Sequence, residues 1–127
     1  VYKRQRLGGG CITTHLVPLS TGVNMVEANI RIALGETPDL CKKYDKGAAI
    51  RFLQPLPGIF KSVEGVDEAR GISGVIEVGF MKKIGEVIPE LSNGLDRVGY
   101  VITQGNTREE AVRLCGQAVK KIKFEMV

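Results

Sequence analysis

The apolar residues of this chain change period twice. Over residues 16–36, Val23, Val26, Ile30, Ala33 and Leu34 recur at helical spacing. After Gly47 the period falls to two, through Ile50 and Phe52 and later Val98, Tyr100 and Ile102. From Thr107 it lengthens again, with Ala111, Cys115, Ala118 and Ile122 in one stripe. This order predicts an α+β fold, in which a helical N-terminal part precedes a small, mostly antiparallel sheet with a C-terminal helix packed on it.

Local signals fix the element ends. Asn24 can cap the first long helix with Glu27 reaching back to it, and Gly35 suits its stop. Pro18 and Thr21-Gly22 predict a shorter helical turn ahead of it, then a break. The polar residues 37–47 read as a connection. Residues 48–54 form a strand, Pro55-Leu56-Pro57-Gly58 a turn, and residues 59–63 a returning strand paired with the first. One or two helical turns are expected over 66–70, ending at Gly71. Strands follow over 74–81, at Val87-Ile88 and over 96–103, with a turn at Ser92-Asn93-Gly94, giving four or five in all. Thr107 with Glu110 forms a capping box for the last helix, whose solvated end is Lys120-Lys121-Ile122-Lys123. Phe52, Phe60, Phe80 and Phe124 read as core or edge packing.

With 127 residues, 43% of them hydrophobic, the chain can bury one modest core with a leading appendage. No apolar run approaches the roughly 18–20 residues that span a bilayer, and no secretory leader is evident, so a cytoplasmic protein with no membrane partner is expected. Cys11, Cys41 and Cys115 are odd in number and stand in no ligand spacing, which predicts reduced thiols. Cys115 falls on the apolar side of its helix, and Cys41 in a loop. Cys11 would be reactive only if its surroundings lowered its pKa.

The first five residues, Val1-Tyr2-Lys3-Arg4-Gln5, read as the translated end of a transposase adapter used in DNA library preparation, and so as a non-native scar rather than a basic arm. Setting aside Lys3 and Arg4 lowers the net charge from +4 to +2. With four Phe, three Tyr, no Trp and the remaining cations spread among acids, no nucleic-acid partner is expected.

Arg6-Leu7-Gly8-Gly9-Gly10 carries the chemistry. Three glycines leave backbone N–H groups uncovered, and a neighbouring guanidinium can fork onto a phosphate or carboxylate. Ordinary loops also contain glycine triplets, so the segments that follow matter. Leu19-Ser20-Thr21-Gly22-Val23-Asn24-Met25-Val26 begins the helix and Ala33-Leu34-Gly35-Glu36 ends it. This succession resembles the last stretch of the ATP-grasp domain in carboxylate–amine ligases. In that family an acidic residue, an asparagine and an arginine lead into a glycine-rich turn; the acid and the asparagine have no counterpart here. Residues 47–126 resemble the small domain that follows in L-amino-acid ligases, through Arg51-Phe52-Leu53, Pro57-Gly58 and Gly99-Tyr100-Val101-Ile102 before a capped helix. The resemblance divides the chain into a scar at 1–5, the end of an ATP-grasp domain at 6–46 and a small α+β ligase subdomain at 47–127.

What the resemblance implies is a ligase that uses ATP and Mg2+ to join a carboxylate to an amine. The carboxylate passes through an acylphosphate, and ADP and phosphate are released. Arg6 matches the family's arginine beside the transferred phosphoryl group, where fixed charge stabilises the transition state. Gly9 matches the position whose N–H helps hold the same oxyanion; Gly8 and Gly10 allow close approach of backbone to ligand. His15, the one histidine, is a candidate substrate contact, with a helix-start hydrogen bond as its structural alternative. No metal site is expected, because the family's ATP-binding lysines and magnesium-binding glutamates would precede Arg6. The isolated chain is therefore expected to be inactive. Glu64, Asp67, Glu68 and Glu77 show no pairing that calls for acid–base work. A biotin-carboxylase-like or purine-pathway member of the superfamily would share the glycine turn. From another class, residues 47–127 could serve as a non-catalytic small-molecule-binding or dimerisation module, with a second copy of the chain as partner.

Overall fold

The structure, a computed structural model, describes residues 6–127; the expected scar at 1–5 lies outside the described residues. A wide helical turn over Ile12–Leu16 runs directly into α1 (Val17–Thr21). Gly22, at φ 75°, ends α1 by donating its N–H to the Pro18 carbonyl at 2.8 Å. Helix α2 (Met25–Ala33) starts where expected, the Asn24 side chain accepting from the Glu27 N–H at 3.1 Å. Glu27 does not reach back to complete a capping box; its carboxylate takes Arg31 one turn later at 2.9 Å. The helix closes in a Schellman arrangement at Gly35, whose N–H bonds the Ile32 carbonyl while that of Glu36 bonds Arg31.

The connection from α2 turns back onto α1. The N–H groups of Lys43 and Lys46 bond the carbonyls of Thr21 and Ser20 at 2.9 Å, and the Tyr44 hydroxyl donates to Pro18. From there the chain enters β1 (Gly47–Leu53), then β2 (Gly58–Glu64), α3 (Val66–Arg70), β3 (Val75–Phe80), β4 (Val87–Ile88), β5 (Gly99–Gly105), α4 (Arg108–Lys121) and β6 (Lys123–Met126).

These strands form two antiparallel three-stranded sheets, ordered β1-β5-β3 and β4-β2-β6. The expected pairing of residues 48–54 with 59–63 is therefore corrected: β1 pairs β5, and β2 belongs to the other sheet. Pro55 and Pro57 lack the N–H groups a tight hairpin would use, and the segment carries the chain from one sheet to the next. Strand β6 is also a correction. Lys123 opens a strand rather than closing a helix, because Phe124 and Met126 pack against the Phe60, Ile88 and Val98 cluster. Phe124 stands 5.4 Å from the Phe60 ring and 6.3 Å from that of Phe80, joining the two clusters.

Cross-strand partners share a face, so the register assigns the faces of the first sheet. Ala49, Leu53, Val78 and Val101 face α4, which buries Ala111, Cys115, Ala118 and Ile122 against them. Two hydrogen bonds fix the helix there: the Thr103 hydroxyl donates to the Ala111 carbonyl at 2.7 Å, and the Cys115 thiol to that of Val101. The cap of α4 differs in detail from the sequence pattern. Thr107 accepts from the Glu110 N–H, but the Glu110 carboxylate accepts from Asn106. The opposite face carries Ile50 and Phe52, Glu77, and Tyr100, Ile102 and Gln104. It is not solvated, as a single buried face would predict. Residues 8–21 lie over it, and the Gln104 amide donates to the Leu19 carbonyl at 2.5 Å. Central strand β5 is consequently buried on both sides.

Candidate functional site: a glycine turn on the sheet

The glycine turn is built by its own backbone. The Gly8 carbonyl accepts from the buried Thr13 hydroxyl at 2.9 Å, and that of Gly9 from the Ile12 N–H at 3.2 Å. Gly10 and Cys11 then take left-handed conformations in succession, at φ 61° and 64°. For Cys11 that conformation costs on the order of 1 kcal/mol. It aims the Cys11 carbonyl into the next turn, where it accepts from both His15 and Leu16 at 3.0 Å. Turns of this width are enriched at functional sites.

Among the described residues, the N–H groups of Gly8, Gly9 and Gly10 find no protein acceptor. A Cβ on Gly9 would meet no atom within 4 Å, so the turn is open there. Arg6 is exposed, donating from Nη1 to the Leu7 carbonyl at 3.1 Å, with no carboxylate paired to it among the described residues. Among the described residues the segment thus presents unused donors and a guanidinium next to one open patch of backbone, an arrangement suited to an oxyanion.

Beneath the turn lies a polar array that the sequence did not expose. The His15 Nδ1 is 2.7 Å from the Thr14 hydroxyl, and its Nε2 is 3.3 Å from a Glu77 carboxylate oxygen. The other Glu77 oxygen accepts from the Tyr100 hydroxyl at 2.5 Å. His15 therefore ties the N-terminal segment to β3 through side chains. Gly79 makes this reach possible: a Cβ there would overlap the Tyr100 ring, which lies across β3 towards Glu77. A glycine two positions after an acid, opposite a tyrosine in register, is the signal that could have found the pair; read one strand at a time, it is invisible.

The electrostatics follow from Glu77. Burial first, and then the Glu77 charge, push the Cys11 thiol above its ordinary range, so Cys11 is not an activated nucleophile. The hydrogen bond to Glu77, desolvation and the same charge push Tyr100 up to about 12. The folded-state pKa is raised, so this stabilisation is fully present below pH 10 and lost as pH rises through about 12. Glu77→Ala is expected to bring one tyrosine down from about 12 towards 10, seen as tyrosinate absorbance in an ultraviolet titration. An unmoved midpoint would separate Tyr100 from Glu77.

The remaining groups are placed plainly. Cys41 is exposed and Cys115 buried, and all three thiols are free. Cavities of about 350 and 490 Å³ flank α2, but no residue of the glycine turn lines them, and their Arg31 is committed to Glu27 and Glu36. Among the described residues no three His, Cys, Asp or Glu side chains converge as a metal site. The glycine turn offers N–H donors of the kind that a phosphoryl or carboxylate oxygen accepts from. No described helix is long and apolar enough to cross a membrane.

Comparison with known proteins bears on this geometry. The chain superposes on phosphoribosylglycinamide synthetase from Anaerococcus prevotii with a TM-score of 0.80 at 20% identity, over 96% of this chain and 32% of that one. It superposes on L-amino acid ligase from Bacillus licheniformis with a TM-score of 0.78 at 18% identity, over 96% and 31%. These likenesses establish the fold, that of the C-terminal part of ATP-grasp enzymes. In sequence it is 30% identical over 112 residues to the uncharacterized protein y4rH of Sinorhizobium fredii, covering 87% of this chain and 23% of that protein. The chain thus spans between about a quarter and a third of the length of these relatives. Residues 51–127 match the pattern of the L-amino acid ligase C-terminal domain 2, more than half of the chain, and the chain belongs to that family of ATP-grasp ligases.

Proposed function

We propose that the chain is the C-terminal portion of a cytoplasmic ATP-dependent ligase that joins a carboxylate to an amine through an acylphosphate. The observation that carries this reading is the glycine turn, with three successive N–H groups unused among the described residues beside Arg6. Family membership supports it by supplying a reaction in which such a turn has work to do. ATP, when bound, supplies the phosphoryl group that activates the carboxylate. Arg6 holds the charge that builds on the transferred group, and the Gly9 N–H donates to the same oxyanion. The His15–Glu77–Tyr100 array holds the turn against the sheet, placing its donors before substrate arrives.

The test uses the full-length protein that carries this chain, supplied with ATP, magnesium and pairs of amino acids, with ADP release and the joined product measured together. Amine-dependent ADP release with an equimolar amide product is expected; ATP turnover without a joined product would refute the reading. Gly9→Val separates chemistry from architecture. A Cβ there meets nothing within 4 Å, so the fold should persist while turnover falls by roughly 100-fold. An unaffected rate would make the turn purely structural.

A further inference from the structure

The loop between β4 and β5 carries a chemistry that the ligase reading does not use. Asn93 and Gly94 are both exposed, and Asn93 caps a single tight helical turn over Gly94–Asp96. Asn24, Asn29 and Asn106 are followed by Met25, Ile30 and Thr107, so Asn93 alone among the asparagines precedes a residue without a side chain. That difference decides how closely the next backbone nitrogen can approach the side-chain amide carbon.

Both reacting groups are prepared. The Asn93 Oδ1 accepts from the Leu95 N–H at 2.8 Å, which polarises the side-chain amide and offers a donor to an oxyanion formed there. The Gly94 N–H finds no protein acceptor among the described residues, so no bond must break before it loses its proton. Asn93 is extended, at φ −152° and ψ 176°, and rotation about its own Cα–C bond swings the Gly94 nitrogen towards Cγ. Little opposes that rotation. The turn is held by the Asp96 carboxylate on the Ser92 and Asn93 N–H groups, by the Asn93 Nδ2 donating to the Ser92 hydroxyl and by one 3.3 Å backbone bond, and exposed bonds of this kind open readily. The fold does not require glycine at 94: its φ is not left-handed, and a Cβ there would come no closer than 3.9 Å to Arg97 Nη1.

We propose that Asn93 is a site of spontaneous deamidation. The Gly94 nitrogen, having given its proton to water, bonds to the Asn93 Cγ; the bond from Cγ to Nδ2 then breaks, and ammonia leaves with a proton taken from water. A second water opens the cyclic imide at either carbonyl, leaving aspartate or isoaspartate at 93. Water is the only co-reactant. Either product adds a carboxylate to a turn that already holds Asp96, and the isoaspartyl product also routes the backbone through the former side chain, which removes the cap on Leu95. None of this depends on the ligase reading.

The experiment incubates the full-length protein that carries this chain in mildly alkaline buffer and maps its peptides by mass spectrometry, with isoaspartyl methyltransferase labelling to separate the two products. Aspartate and isoaspartate are expected at 93 while Asn24, Asn29 and Asn106 keep their amides. Gly94→Ala should slow the conversion by roughly 10-fold with an unchanged thermal melt. Asn93→Ser, which retains a capping oxygen, should abolish labelling of that peptide. An Asn93 that keeps its amide as long as the other three, or a Gly94→Ala rate equal to wild type, would overturn the proposal. So would a folded-state rate roughly 100-fold below that of guanidinium-unfolded protein, which would show the turn shielding Asn93.

Discussion

Replacing Arg6 by alanine in the full-length protein is expected to lower ligation-coupled ADP release by roughly 100- to 1,000-fold and to leave the fold untouched. Both halves follow from where Arg6 stands. Its side chain is exposed and, among the described residues, bonds only the carbonyl of its neighbour Leu7, so no packed contact with them is lost. In the proposed ligase its charge, next to N–H groups unused among the described residues, is worth most when negative charge is building on the transferred group. The loss should therefore appear in kcat, with KM for the amine changing far less. Steady-state kinetics alongside a thermal melt checks both parts; near-normal turnover would remove Arg6 from the mechanism.

The second large effect concerns architecture. Gly65→Ala is expected to destabilise the fold by about 3 kcal/mol or more, because two costs coincide. The residue sits at φ 75°, and its Cβ would overlap the Lys121 carbonyl oxygen at the end of α4. Gly35 provides the control. It has nearly the same backbone, at φ 79°, but a Cβ there would meet nothing, so Gly35→Ala should cost only about 1 kcal/mol. Urea unfolding of the two variants beside the wild type separates conformational strain from collision. Equal losses would mean that the contact between the α3 entrance and the α4 end has been overvalued.

How much of this was legible in the sequence depended on the range of each interaction. Helix α4 was, because its caps lie within a few residues of it and its stripe repeats along one element. The break at Gly22 and the stop at Gly35 were legible for the same reason: both are decided by local backbone. The partition of the strands was not. Whether β2 folds back on β1 or joins β4 and β6 depends on partners as distant as Phe60 and Met126, and Pro55 and Pro57 mark a bend without saying where it leads. Strand β6 was too short to show a period against the helix it follows.

The site divides in the same way. Arg6 and the three glycines could be singled out because the feature is contiguous. Their structural setting could not, since His15, Glu77 and Tyr100 meet from three segments, and Phe52 comes from a fourth. Glu77 gave no sign of its pairing because Tyr100 reaches it across a strand, over a glycine. Tyr100 itself read as one member of an apolar face. The structure shows that face to be the floor of the turn, with the phenol as its polar edge.

The family pattern begins at residue 51, inside β1, whereas the glycine turn lies more than forty residues earlier. The supports of that turn nevertheless come from the later segment: Phe52 beneath Gly10, Glu77 and Tyr100 beneath His15, Gln104 on Leu19. Grafting this C-terminal domain from one relative onto the ATP-binding portion of another would therefore not exchange an inert handle. The chimera would inherit the donor's bed for the glycine turn along with its helices, and the seam between parental sequences would fall best ahead of the turn, so that bed and turn travel together.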